Sequence, residues 1–215
     1  MGWRGAFVKV GCMTGLRAQR KEQLRRRILS TALALFEEKG YVATTVEEIA
    51  AEAGTTRMTF YARFPGKRDV MVALIDELNE LLERHTTAAK GSTAAKLVEA
   101  VRIGTADAIR PWLATQASRW PVIKPYILVA SQAAAADPEI RELYAAWFEE
   151  VIGDMVLGMS LADRHDPESR HFRGFLAMEA LDRTALHWMR EPWDLDAGPE
   201  LDILTDTWVT LLGER

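Results

Sequence analysis

Apolar residues recur at helical spacing along almost the whole chain. Between Arg17 and Lys39 they fall at Leu24, Ile28, Ala32, Leu35 and Phe36, and Gly40 supplies a stop. Val46, Ile49, Ala50 and Ala53 then follow at i, i+3, i+4 and i+7, ending at Gly54. A third short helix is predicted from Thr56 to about Phe64, and Pro65-Gly66 breaks it. A fourth begins near Lys67 and runs to about His85. Further helices are predicted at about 93–115, 122–136, 138–159, 168–190 and 199–212. Asp137-Pro138-Glu139 is a strong start, with proline in the first turn and acid at the positive end of the helix dipole. No alternation of strand period holds beyond a few residues. The expected fold is all-α, about nine helices.

Two short helices joined by a tight turn at Ala53-Gly54-Thr55 form a helix-turn-helix pattern. Thr45-Val-Glu-Glu48 reads as a capping box opening the first of the pair. Successive residues 100° apart place Phe60, Tyr61 and Phe64 on the packed side of the second helix. Met58, Thr59, Ala62 and Arg63 fall on the other side, with Arg57 projecting from the first turn. An ordinary helical hairpin with a solvated face shares this topology, so the chemistry of that face decides. It is small, hydrogen-bonding and cationic, as entry into a DNA major groove requires. Thr45 sits at a helix N-terminus suited to a phosphate, and Tyr61 and Lys67 are candidate backbone contacts. The expected DNA-binding set is Arg27, Thr45, Thr56, Arg57, Met58, Thr59, Tyr61, Arg63 and Lys67.

Charge sharpens this division. The net charge of −4 over 215 residues conceals two unlike parts. Residues 1–70 carry thirteen Lys and Arg against seven Asp and Glu, a net +6. Residues 71–215 carry fourteen against twenty-four, a net −10. A basic head on an acidic body suits a DNA-binding domain joined to one with another task.

Residues 44–70, TTVEEIAAEAGTTRMTFYARFPGKRDV, resemble the TetR family. Its pattern is Thr-hydrophobic-x-x-Ile-Ala, then Ala-Gly, then a short helix ending Tyr-x-x-Phe, then Lys and an acid. Thr45, Ile49, Ala50, Ala53, Gly54, Tyr61, Phe64, Lys67 and Asp69 fit it, and Ile28 to Phe36 with Gly40-Tyr41 resembles the family's first helix and turn. Met58 stands where many members have a small residue, and Pro65-Gly66 replaces a commoner polar pair, so no operator sequence carries over.

The resemblance implies a helix-turn-helix domain at 17–66 and a ligand-binding and dimerisation domain at 67–215. It implies a homodimer on a palindromic double-stranded operator, with the last two helices pairing between subunits. Phe172, Phe175, Leu176, Leu186 and Met189 on one, and Leu201, Leu204, Trp208 and Leu211 on the other, supply apolar faces. It also implies a small-molecule effector, here apolar or aromatic. Trp112, Trp120, Trp147, Met155, His171, Phe175 and Met178 are the candidate pocket residues. A C-terminal domain that binds a protein partner and no small ligand is the alternative.

Other classes find little support. There is no phosphate-binding glycine loop, nucleophile elbow or zinc-protease motif, so no enzyme and no cofactor are expected. Cys12 is the sole cysteine, and His165 and His171 lack a third ligand at useful spacing, so no metal is expected. No apolar run reaches membrane-spanning length, and a cytoplasmic location is expected. Residues 1–16 lack a signal-peptide core and read as a flexible leader, with Met13 a candidate native start.

Overall fold

A computed structural model describes residues 10–84, 93–194 and 198–214, with side chains 10–17, 93 and 94 excepted. Its ten helices are α1 (Val10–Lys39), α2 (Val46–Glu52), α3 (Arg57–Tyr61), α4 (Lys67–Leu81), α5 (Thr93–Ile103), α6 (Ala106–Ala117), α7 (Trp120–Ala136), α8 (Pro138–Leu161), α9 (Pro167–Arg190) and α10 (Glu200–Leu212). Among the described residues there is no strand, and no helix is long and apolar enough to cross a membrane.

Two predicted boundaries move. α1 begins at Val10, taking in residues 10–16 that were expected to be leader, while residues 1–9 lie outside the described residues. The single helix expected at 93–115 is two, because Gly104 adopts φ +74° and turns the chain before Thr105. That left-handed conformation ends a helix and suits glycine, which has no Cβ to clash.

The chain forms two units, Met1–Leu74 and Ile75–Arg215. The division falls inside α4, just after the buried Val70, Met71, Ala73 and Leu74. That unit's core combines Ile28, Leu29, Ala32 and Phe36 of α1 with Ile49, Ala50, Phe60 and Phe64. Phe36 meets the Tyr41 ring edge-on at 5.3 Å, which fixes the turn after α1.

The second unit is a helical bundle around Leu97, Val101, Leu113, Ile152, Met155, Met159, Ala177 and Trp208. α5 and α8 approach closely because Gly158 carries no side chain; a Cβ there would lie 2.7 Å from the Val98 carbonyl oxygen. Asp137 and Asp166 cap α8 and α9, each accepting from the backbone NH two residues on. Arg164 is 9% exposed and donates to the carbonyls of Val101, Arg102, Ile103 and Leu212, closing the C-terminal ends of α5 and α10. Trp208, expected on a dimer face, is instead fully buried and donates its Nε1 hydrogen to the Ala177 carbonyl at 2.9 Å. Leu186, Met189 and Leu204 are core residues too, because their side of each helix is the one that meets the bundle.

Candidate functional site

The helix-turn-helix of the first unit is built from local chemistry. Thr45 accepts from the Glu48 NH at 3.2 Å, and the Glu48 carboxylate accepts from the Thr45 NH at 2.9 Å. Lys39 donates to the same carboxylate at 2.9 Å. The Lys39 bond, then the two from Thr45, hold the Glu48 carboxyl at a pKa of about 2. Gly54 adopts φ +61°, and Thr55 returns its NH to the Ala50 carbonyl at 2.9 Å, which reverses the chain into α3. Thr56 caps α3 by accepting from the Thr59 NH at 3.1 Å.

α3 exposes part of the face expected to point outward. Thr56, Arg57 and Met58 are exposed, Met58 at 81%, while Thr59 is half-buried. Phe60 and Phe64 are buried beneath them. Tyr61, expected on the packed side, is 43% exposed; it lies one position beyond Phe60, which takes the core-facing place on this one-turn helix. The Arg57 guanidinium lies 5.5 Å from the Tyr61 ring centroid and pairs with Glu47 at 2.9 Å, which holds the side chain extended over the helix. Arg63, expected to project outward, is half-buried. Arg27 is exposed on α1, and Arg25 lies over the Phe64 ring at 5.9 Å.

Lys67 has a place that spacing did not reveal. Its ammonium donates to the carbonyls of Tyr41 at 2.6 Å, Val42 at 3.2 Å and Thr44 at 2.8 Å, and lies 4.5 Å from the Tyr41 ring centroid. It was expected as a phosphate contact. With three carbonyls on its three protons, it clamps the turn that delivers α2.

In the second unit, four of the seven pocket candidates meet around one cavity of about 90 Å³: Trp112, Trp120, Trp147 and Met178. The other three lie elsewhere. Met155 is fully buried core, His171 is exposed and bonded to Glu149 at 3.0 Å, and Phe175 is partly exposed on α9. The register of α9 explains the last two, since Gly174, Ala177, Met178 and Leu181 occupy its inner face.

The cavity also holds Arg84, Gln116, Asp154 and Asp182, none of which was among the expected pocket residues. Arg84 lies 4.5 Å over Trp147 and pairs with Glu150 at 3.0 Å. Burial raises the carboxyl pKa of both Asp154 and Asp182. Among the described residues, Arg84 Nη1, Trp112 Nε1 and Gln116 Nε2 are buried without a hydrogen-bond partner. No group of three or more His, Cys, Asp or Glu among the described residues is placed to hold a metal ion.

Comparison with known proteins covers both units. Residues 28–74 match the family model described as bacterial regulatory proteins, tetR family. An uncharacterized HTH-type transcriptional regulator of Pseudomonas putida, TtgW, is 33% identical over 92 residues, covering 43% of this chain and 67% of that protein. The HTH-type regulators YerO and YuxN of Bacillus subtilis match over 49 and 56 residues, which cover 17% and 18% of their own length. The fold matches NalD, the secondary repressor of the MexAB-OprM multidrug efflux pump in Pseudomonas aeruginosa. Its TM-score is 0.68 at 18% identity, over 91% of this chain and 99% of that one. It also matches SmeT in complex with triclosan, with a TM-score of 0.62 at 20% identity, over 86% of this chain and 90% of that one. With its head matched to the family model and a relative similar over two thirds of that relative's length, the chain belongs to the TetR family of bacterial regulatory proteins.

Proposed function

We propose that this chain is a sequence-specific DNA-binding transcriptional regulator, a repressor released from a palindromic operator by a small apolar or aromatic molecule. The observation that carries the reading is the exposed Thr56-Arg57-Met58 surface at the start of α3, with half-buried Thr59 beside it, mounted on a capped helix-turn-helix. Arg57 suits guanine, the threonines suit either donor or acceptor edges, and Met58 suits a thymine methyl. Arg27 supplies charge toward phosphates, and Thr45 opens α2 with its positive dipole end. The working compartment is the cytoplasm, where the DNA lies.

A homodimer is supported by apolar surface left outside the second unit's core. Phe172 and Phe175 stack at 5.9 Å on α9, and Phe172 and Ile203 are 61% and 62% exposed. Two recognition helices about 34–36 Å apart would read two half-sites of a palindrome.

The cavity is the effector site in this reading. At about 90 Å³ it is smaller than the roughly 300–1,000 Å³ of most ligand clefts. That smallness favours the second reading, a protein partner and no small ligand. The unpartnered polar groups weigh the other way, because each costs about 1–3 kcal/mol in a core that serves packing alone. Effector binding then shifts the population of head positions, by no more than its difference in affinity for the two states. Structural relatives fit this: SmeT is known in complex with triclosan, and NalD is a repressor of a multidrug efflux pump.

Selection from a random duplex library at moderate salt tests the proposal. Recovery of a short palindrome is the expected result. Only unspecific, salt-sensitive retention would refute sequence-specific reading by the free protein.

A further inference from the structure

Five polar side chains converge on the cavity of the second unit, and among the described residues none hydrogen-bonds another of the five. Gln116 is 8% exposed, lines the cavity and leaves its amide nitrogen unpartnered among the described residues. Trp112 Nε1 and Arg84 Nη1 are buried donors in the same condition. Asp154 and Asp182 face the same space, and among the described residues neither carboxylate has a hydrogen bond or an ion pair. The charges do not balance. Arg84 is held by Glu150 at 3.0 Å, and Arg183, the neighbour of Asp182, is turned to Glu179 at 3.7 Å. Arg84 acts on Asp154 and Arg183 on Asp182, but each cation is shared with a glutamate, so two cations serve four acids and the cavity acids stay in excess. Both carboxyls have a raised pKa, because burial penalises their charged form. Around them stand Trp112, Trp120 and Trp147, whose ring faces attract positive charge.

Building on the reading of this cavity as the effector site, we propose that it selects a cationic aromatic amine, its charge neutralised by Asp154 and Asp182 and its ring held against the tryptophans. The Gln116 amide and the Trp112 NH bond an acceptor on the same ligand. The cavity accommodates the charged head, and a second space provides for the rest. Trp112 and Gln116 also line an open groove of about 560 Å³ flanked by Ala100, Ile103, Ala108 and Pro111 of α5 and α6. These two side chains form the wall that the groove and the cavity share.

The test is calorimetric titration of the full chain with three probes of one shape: 1-naphthylmethylammonium, 1-naphthylmethanol and 1-naphthoate. The amine is expected to bind about tenfold tighter than the alcohol, a preference equal to one decade of affinity, and the naphthoate least. The Asp154→Asn/Asp182→Asn double variant is expected to lose the preference for the amine. The three-probe comparison on the unaltered protein stands even where that variant fails to fold. Binding of the alcohol or the naphthoate as tightly as the amine overturns the charge selection and leaves the effector site standing. Binding of none of the three overturns both.

Discussion

Replacing Lys67 by methionine keeps the aliphatic stem and removes the ammonium that joins the start of α4 to the turn before α2. Three carbonyls lose their shared donor, at 2.6, 2.8 and 3.2 Å, and the Tyr41 ring loses a cation 4.5 Å from its centroid. A hydrogen bond to a charged group contributes roughly 1.5–3 kcal/mol, but water reaches this half-buried site and replaces part of each bond. A cation–π contact adds about 0.5–1 kcal/mol. A net loss of about 2 kcal/mol for the local unit follows, equivalent to about thirtyfold in an opening equilibrium. Hydrogen exchange of the α2 and α3 amides reads that opening directly, and they are expected to exchange about thirtyfold faster in Lys67→Met. DNA affinity should fall, yet its salt dependence should keep the same slope, because the ammonium meets carbonyls and not phosphate. Unchanged exchange with a slope reduced by about 0.9 would refute the clamp and make Lys67 a phosphate contact.

Three further outcomes are expected. Gly54→Ala meets no atom within 4 Å, so its effect is purely that of φ +61°, a destabilisation of about 1–2 kcal/mol measurable by urea unfolding of the head. Arg164→Ala strands four helix-end carbonyls around a buried site and should cost about 3–5 kcal/mol, read as a lower melting temperature of the second unit. The Glu48 carboxyl, at about 2 when folded, lies below its ordinary value, so its stabilisation is complete above the ordinary carboxylate range and disappears as pH falls toward 2. Melting curves at pH 3 and pH 6 should therefore differ less in Glu48→Gln than in the parent; an equal difference would remove the capping box from the acid response.

What the sequence disclosed was local. The Thr45–Glu48 box, the Gly54 turn and the burial of Phe60 and Phe64 are set by residues within four positions of one another, and all are present. The Lys67 clamp was not legible because its carbonyl partners lie 23 to 26 residues back, beyond any spacing rule. Tyr61 shows the limit of a helical wheel on a helix of five residues, where Phe60 alone fills the inward position. In the second unit, residue type found Trp112, Trp120, Trp147 and Met178 but passed over Arg84, Gln116, Asp154 and Asp182. A signal was there: Asp154 stands at i+3 from Val151 and Asp182 at i+4 from Met178, each a carboxylate inside an apolar stripe. The same rotation turns His171 and Phe175 away from the cavity, and splits the expected dimer stripe into an inner part at Leu186 and an outer part at Phe172.

The central claim is that α3 reads bases through its exposed side chains. Library selection performed in parallel on the parent and on the Arg57→Ala/Thr59→Ala variant tests it most directly. The account predicts a palindrome for the parent and, for the variant, loss of preference at a few symmetric positions while salt-sensitive binding persists. Recovery of the same palindrome, with the same preference at every position, would contradict it and place the reading surface elsewhere.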